Sequence, residues 1–425
     1  MNSATLPRIA IAGFCLLSGY GCASFSPRPI KEMAFFKRAQ IKSDGAVSVT
    51  VAVLSAAESK EAFGVDLARK GIQPVWLKID NRDQMDYRLL PVSIDKDYFS
   101  PLEASWKSHF RFSWSRNREM DDHFYSQQID LHVPRGAVSS GFLFTNLTEG
   151  SKAVLVELLG SRQKKTFSFF LTVPGIRPDH MSVNFDAIYS TDQILSYDSE
   201  AEFRSALETL PCYATDKEGK ATGDPLNLVV IGGEGQAWHE PWPAFVARGW
   251  HETETVYGGS EWKTFASFVF GGQYEYSPFS PLYVYGRPQD IGFQKTRATI
   301  RERNHLRLWL APLRFKGKPV WVGAISRDIG VRFTLKAWPL VTHKIDADVD
   351  NAREYLVQDL LYSQHVAKIG LVRGVGVSTP SAPRRNLTGD PFFTDGLRAV
   401  FMMTSQSTSL TEVGYFLDWE EAGPR

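Results

Sequence analysis

The sequence predicts a multi-domain α+β protein, with an N-terminal antiparallel β-sandwich followed by an α/β domain whose mixed sheet is flanked by helices. Three observations lead to this prediction. Short apolar strands separated by turns fill the first half of the chain, as is typical of a sandwich. Helical patterning begins only near residue 199. In the second half, a long pair of strands over residues 304–328 is followed by an amphipathic helix from residue 349, which favours helices packed on a sheet.

Composition limits the class of protein. The chain has 425 residues, of which 43% are hydrophobic and 22% charged, so it can bury sizeable cores and is not a disordered chain. This length corresponds to about two or three domains. The net charge is +1 and no run of Lys or Arg occurs, which argues against a nucleic-acid partner.

Residues 1–22 are predicted to be a signal peptide with a lipobox-like end. The apolar run from Ile9 to Leu17 is shorter than the about 20 apolar residues that span a bilayer. Gly21 and Cys22 follow it and resemble the cleavage box of bacterial lipoproteins. Cys22 is therefore the expected lipidation site. The alternatives are an ordinary secreted protein cut near Ala23 and an uncleaved anchor.

Cysteine usage agrees with lipidation. Cys15 lies inside the signal, so once Cys22 carries a lipid only Cys212 remains and no intramolecular disulfide can form. Cys22 is followed by Ala23 and Ser24 and not by an acidic residue. The resemblance to bacterial lipoproteins then implies that the protein is attached to the outer membrane and faces the periplasm.

The first domain is predicted over residues 46–178, after a linker at 23–45 that contains two prolines and lifts the fold off the lipid. Residues 100–130 interrupt its strands with an aromatic and charged segment. One interpretation is a membrane-facing or partner-binding insertion, and the other is a helical hairpin packed on the sandwich. We favour the hairpin, because aromatic residues more often build a core than a docking surface.

The second domain is predicted over residues 179–425, with the boundary between Pro174 and Ser199. Ser199 and Glu202 have the spacing of a helix capping box. The strand at 226–231 ends in a Gly-rich turn, which lacks the spacing and the lysine of a phosphate-binding loop. A helix over 349–363 and further strands at 366–372 and 399–403 complete the expected sheet.

The strand pair at 304–328 is predicted to be a hairpin with two distinct faces. Strand alternation places His305, Arg307 and Trp309 on one face. After the turn at 316–318, Asp328 lies on the same face as the alternate residues from Val320 onward. One side of the hairpin can then be core, while the other side presents imidazole, guanidinium and indole groups together.

Several ordered motifs in this half of the chain resemble a known family, the C-terminal domain of the LssY protein family. They are Asp224-Pro225-Leu226-Asn227-Leu228, Gly249-Trp250, Tyr285-Gly286-Arg287-Pro288-Gln289-Asp290, His305-x-Arg307-x-Trp309, Pro319-Val320-Trp321-Val322-Gly323-Ala324 and Thr342-His343-x-Ile345-Asp346-x-Asp348-x-Asp350. Asn304 stands where the family has the first histidine of a pair. The resemblance implies an envelope-associated bacterial domain without naming a reaction.

A metal or acid–base centre is one hypothesis for this stretch. Two imidazoles and carboxylates suit zinc, manganese or iron, and a metal-bound water hydrolyses phosphate esters. The candidate catalytic residues are His305, Asp328, His343 and Asp346. The candidate binding residues for a phosphate or carboxylate are Arg287, Arg307, Trp309 and Asp350, with Arg327 nearby.

A structural polar network is the other hypothesis, and it is the one we favour. In it His305 and His343 are buried against aspartates, and Arg307 pairs with Asp290 or Asp328. The two functional classes follow from this. The first is a lipid-anchored envelope protein that acts as a binding or interaction module. The alternative is an envelope hydrolase, possibly metal-dependent and acting on phosphate esters.

Overall fold

The computed structural model describes residues 25–175, 178–232, 241–253, 281–296, 303–333 and 341–417. Within these ranges the protein is a mixed α+β structure made mostly of strands, with antiparallel sheets in the N-terminal part and a larger mixed sheet in the C-terminal part. No helix in the described residues is long and apolar enough to cross a membrane.

Two four-stranded antiparallel sheets form the N-terminal sandwich, in the orders β1-β2-β3-β6 and β5-β4-β7-β8. Alternate residues of each sheet point inward, so Val49 and Val51 share a core with Val154 and Val156. The strands are β1 Gln40–Ser43, β2 Val47–Val53, β3 Ile72–Asn81, β4 Tyr87–Leu89, β5 His132–Val133, β6 Val138–Asn146, β7 Ser151–Leu159 and β8 Lys164–Thr172.

Helices α1 Ala56–Phe63, α3 Pro101–Trp106 and α4 Trp114–Ser126 cover the outer face of the first sheet. The short helix α2 Pro91–Ile94 packs instead on β7, with Ile94 in the core of the sandwich. Phe63 of α1 and Phe124 of α4 are fully buried against Phe142 and Phe144 of β6. The segment at 100–130 is therefore a helical hairpin packed on the sandwich, as expected, although its far end remains open to solvent.

The described part of the expected linker at 23–45 forms regular structure. Residues 30–32 and 34–38 form two short 3₁₀ helices, and Phe35 is fully buried beside Phe142. Phe25 already packs against His123 of α4, with ring centroids 5.9 Å apart. The two prolines favour an extended linker, but the apolar residues before and after them bury surface against the helices and the sheet.

A mixed sheet forms the centre of the C-terminal part. Its main order is β13-β16-β17-β18-β12-β23-β20-β24, with β19 paired to β18 and β9 paired to β17. The parallel pairs are β12 with β23, β20 with β24 and β17 with β9. The strands of this part are β9 Leu195–Tyr197, β10 Tyr213–Thr215, β11 Thr222–Pro225, β12 Leu228–Ile231, β13 His251–Glu252, β14 Tyr283–Val284, β15 Arg287–Pro288, β16 Ile291–Thr296, β17 Arg303–Phe315, β18 Lys318–Phe333, β19 Val341–Ile345, β20 Val366–Arg373, β21 Arg384–Arg385, β22 Pro391–Phe392, β23 Leu397–Met403 and β24 Gly414–Leu417.

Helices flank this sheet on both faces. They are α5 Glu200–Glu208, α6 Trp242–Ala247 and α7 Val349–Leu361. Leu356 of α7 and Phe245 of α6 pack on one face, and Phe203 of α5 packs on the other. The predicted capping box does not form, because the Ser199 side chain makes no capping bond. Glu200 and Glu202 still place negative charge at the first turn, which favours the helix dipole.

Both faces of the β17–β18 hairpin are core, which corrects the expectation that one side is open. Leu306 and Leu308 enter the core beneath α6 and α7, while Trp309 enters the core beneath α5. Helices on both sides of a sheet leave no solvent-facing side for a central strand. The predicted alternation of residues along the hairpin is otherwise present. The domain boundary between Pro174 and Ser199 stays a prediction.

Candidate functional site

The register of the β17–β18 hairpin brings the polar residues of its two strands together. His305 lies opposite Ser326, and Arg307 lies opposite Ala324. Side chains that are diagonal neighbours across two strands are within reach of long residues. Since Asp328 lies two residues beyond Ser326, its carboxylate reaches the imidazole of His305.

Asp328 is the centre of the resulting cluster. Its Oδ2 lies 3.2 Å from Nε2 of His305 and 3.7 Å from Nε of Arg303. Asp328 is 1% exposed, Arg303 4% and His305 8%, so the group is almost wholly enclosed. Arg303 also donates through Nη1 to the side-chain oxygen of Gln294 at 2.6 Å.

Arg307 extends the cluster to a second carboxylate. Its Nη1 lies 3.5 Å from Oδ2 of Asp224, which is near the end of β11. The Oδ1 of Asp224 accepts a hydrogen bond of 3.1 Å from Asn386. We call Asp224, Arg303, His305, Arg307 and Asp328 the Asp328 cluster. Arg307, expected to pair with Asp290 or Asp328, contacts Asp224, and its charge also acts on Asp328.

Desolvation dominates the electrostatics of the Asp328 cluster. Burial raises the pKa of Asp328 to about 7, while the charges of Arg303 and Arg307 pull it down and that of Asp224 pushes it up. Burial likewise lowers the pKa of Arg303 and of Arg307 below the usual range of arginine. A carboxyl group that titrates near neutrality beside an imidazole has the chemistry of a proton acceptor, although it is enclosed here.

Arg287 and Asp290 form a separate ion pair. Nε and Nη2 of Arg287 each donate to a different oxygen of Asp290 at 2.9 Å, and Nη1 donates to Tyr189 at 2.8 Å. The same carboxylate accepts from the backbone N–H of Leu310 at 2.7 Å. Nη2 of Arg287 also donates to the carbonyl oxygen of Leu310. The guanidinium of Arg287 therefore has three partners, Asp290, Tyr189 and Leu310, and it ties the loop before β16 to β17.

Asp350 and Trp309 are also structural in the described contacts. Asp350 accepts from Thr394 and from the N–H of Asp395, each at 2.7 Å, and lies 3.2 Å from Arg353. Arg353 is 1% exposed, and its guanidinium donates a hydrogen bond of 2.8 Å to each carboxylate oxygen of Asp395. Trp309 is completely buried in the core beneath α5. None of these three side chains is open to a ligand.

The remaining two candidates stand at the edge of the hairpin. The backbone N–H of Asp346 donates to the carbonyl of Arg327 at 2.8 Å, and its Oδ1 accepts from the N–H of Asp348. Asp348 caps α7, as the helix start predicted from sequence requires. His343 lies in β19, and its backbone pairs with that of Val331 in β18. The side chain of His343 lies outside the described part of the structure. Of the candidate residues, the structure brings His305, Arg307 and Asp328 close together.

Two members of the cluster were not among the candidates. Arg303 has the same strand parity as His305 and Arg307, so alternation contained a signal for it. Asp224 lies far away in sequence on a strand of a separate sheet, and only tertiary packing brings it to the hairpin. It stands in one of the family motifs, but strand periodicity contains no signal that it meets Arg307. Among the described residues, no three His, Cys, Asp or Glu side chains are grouped as a metal ion needs.

Comparison with known proteins locates a family domain in the same half of the chain. No curated protein matches the chain. Residues 207–397 match the family model described as the LssY C-terminus. That range contains β17, β18, α7 and every residue of the Asp328 cluster. The part of the chain that carries the candidate site is therefore an LssY-like C-terminal domain.

Proposed function

We propose that the protein is a bacterial envelope lipoprotein whose LssY-like domain acts as a binding or interaction module. In this proposal Cys22 carries the lipid, and the protein faces the periplasm from the outer membrane. The enclosure of the Asp328 cluster is the observation that supports a non-catalytic domain. Its charges face one another, and its members are at most 8% exposed. Such a network holds β11, β17 and β18 in one arrangement.

An envelope hydrolase is the second candidate, because the pKa of Asp328 lies near neutrality. A carboxyl with a pKa of about 7 next to an imidazole is matched to general acid–base work, and two guanidinium groups beside it suit a phosphate ester. Catalysis would require a substrate to reach a group that is 1% exposed. The binding module is therefore the better supported function.

A hydrolysis assay separates the two candidates. The purified protein is assayed with p-nitrophenyl phosphate and bis(p-nitrophenyl) phosphate, with and without added zinc or manganese, beside Asp328→Asn and the exposed control Asp122→Asn. We expect none of the three proteins to hydrolyse either ester faster than the buffer control, because the cluster is structural. A rate in the wild type about tenfold above that of Asp328→Asn, with folding intact, would establish the hydrolase instead.

Lipidation has its own test in Cys22→Ser. Serine cannot accept the lipid, so we expect the variant to leave the membrane fraction or to accumulate as an unprocessed precursor. The measurement is fractionation of cells that express either form, with the apparent mass of the product on a gel. Cys212→Ser is the matched control and is expected to fractionate as the wild type does. A fully processed, membrane-bound Cys22→Ser protein would refute the anchor.

A further inference from the structure

Three large aromatic side chains stand exposed where the α3–α4 hairpin turns. Phe112 is 97% exposed, Trp114 88% and Trp106 73%. Trp106 ends α3 and Trp114 begins α4, so all three lie at one end of the hairpin. Tryptophan and phenylalanine at this exposure are unusual for a surface that only meets water, and clustered apolar surface marks an interaction site.

The end of the hairpin is rigidly built. Asn117 accepts from the N–H of Phe110 and donates to its carbonyl, both at 2.9 Å, which clamps the loop to α4. Asp121 accepts from Ser105 at 2.6 Å and contacts His109 at 2.9 Å, which ties α3 to α4. The loop so held keeps Phe112 at a φ of 61°, a left-handed conformation that a bulky residue rarely adopts. The fold therefore holds an apolar ring outward in a strained conformation.

The charge next to these rings is mostly positive. Residues 104–118 contain Lys107, Arg111, Arg116 and Arg118, with the acidic residues Glu103 and Glu119 just outside this range. The groove that also reaches Ser108 and Phe110 is lined by Lys60, Arg69 and Lys70 and by one acidic residue, Asp66. Aromatic rings surrounded by Lys and Arg match a lipid surface with anionic headgroups, where rings sit at the interface and cations meet phosphates.

The N-terminal end of the described chain reaches the same groove. Gly64 lines it, and a Cβ on Gly64 would meet the backbone of Ser26 and Pro27 at 3.1 Å. Phe25 itself packs on His123 of α4. Three further residues reach back to Cys22, a span of about 10 Å at most. An anchor at Cys22 would thus hold the membrane near α4, the helix that begins at Trp114.

We propose that the end of the α3–α4 hairpin is a membrane-contact site that inserts Trp106, Phe112 and Trp114 into an anionic lipid surface. The contact is separate from lipidation, since it needs only the folded N-terminal part of the protein. It would orient the sandwich on the bilayer.

The test is vesicle flotation of the chain from residue 23 onward. This protein contains every described element but lacks the expected signal peptide and the lipidation site Cys22. The probes are phosphatidylethanolamine vesicles containing about one quarter phosphatidylglycerol, and vesicles of phosphatidylcholine alone. We expect the protein to float with the anionic vesicles and to dissociate at about 0.5 M salt. Replacing Trp106, Phe112 and Trp114 together by serine should weaken binding about tenfold or more.

Two further variants make the result decisive. Ile41→Ser, Tyr362→Ser and Val377→Ser together remove apolar residues elsewhere that are 64–67% exposed and should leave flotation unchanged. Lys107→Gln with Arg111→Gln should reduce binding to the anionic vesicles while keeping the aromatic rings. If the wild type floats with neither vesicle, or if the triple serine variant of the hairpin floats as the wild type does, the surface is not a membrane contact and a protein partner takes its place. Either result leaves the Cys22 anchor untouched, because the tested chain does not carry it.

Discussion

Replacing Arg398 with methionine is expected to destabilise the LssY-like domain by about 4 kcal/mol. Arg398 is completely buried, and its guanidinium donates only to backbone carbonyls. They are the carbonyls of Leu207, Leu210, Pro211, Leu226 and Gly374. Each buried carbonyl left without a donor costs about 1–3 kcal/mol, and some of the five gain water instead. Burial lowers the pKa of Arg398 to about 10, so its charge is present at neutral pH.

The position of Arg398 explains the size of this effect. Leu207 and Leu210 lie at the C-terminal end of α5, where carbonyls lack partners within the helix and the dipole favours a cation. Gly374 has a φ of 138°, and a Cβ there would lie 3.1 Å from the guanidinium carbon of Arg398. One side chain therefore joins α5, the loop after β20 and the chain between β11 and β12.

Urea unfolding measures the prediction, with the fluorescence of the buried tryptophans as the signal. Arg373→Met is the matched control, since Arg373 is exposed on the neighbouring strand β20 and opposite Leu397. The control should lie within about 0.5 kcal/mol of the wild type. A loss below about 1 kcal/mol in Arg398→Met would show that the five carbonyls find other donors.

Asp328→Asn is expected to change the pH dependence of stability by a few kcal/mol. The carboxyl of Asp328 has a folded pKa of about 7, above the about 3.9 of an unfolded aspartate. Between these values the unfolded chain has released its proton while the folded protein keeps it, so stability falls as pH rises. Above about pH 7 both states are ionised and the loss is complete. Asparagine does not titrate, so the variant lacks this fall.

The measurement is the free energy of unfolding of the wild type and Asp328→Asn between pH 5 and pH 8. From pH 5 to pH 8, the free energy of unfolding of Asp328→Asn relative to that of the wild type should rise by about 2–3 kcal/mol, since each pKa unit corresponds to about 1.4 kcal/mol. Asp122→Asn removes an exposed carboxylate and should run parallel to the wild type. A difference that stays constant across this range would mean that Asp328 is ionised throughout.

Local patterns identified most of the elements around the candidate site. Strand alternation located β17 and β18 and the shared face of His305, Arg307 and Asp328, because side chains of a strand alternate whatever it packs against. Helical spacing from Val349 located α7, and Asp348 is its cap. The motif order led to the LssY-like domain that the family comparison finds at residues 207–397.

Local patterns failed where the tertiary surroundings decide which partner a group meets. Arg307 on β17 pairs with Asp224 of β11, which lies far earlier in the chain. The capping box at Ser199 has the right spacing and still does not form. The segment at 23–45 has the prolines of a linker, and its described residues pack on the sheet. Each of these outcomes depends on which polar partner or apolar surface the tertiary structure places next to the residue.

By itself, the sequence determined the class of the fold, the faces of the hairpin, the start of α7 and the family domain. These follow from periodicity and from local chemistry, which act over a few residues. Only the tertiary structure decided that the hairpin is buried on both faces, that Asp224 joins the Asp328 cluster, and that Arg398 binds five carbonyls. The physical reason is desolvation: the state of a charged group depends on how much water the surrounding layers remove and which distant partner replaces it.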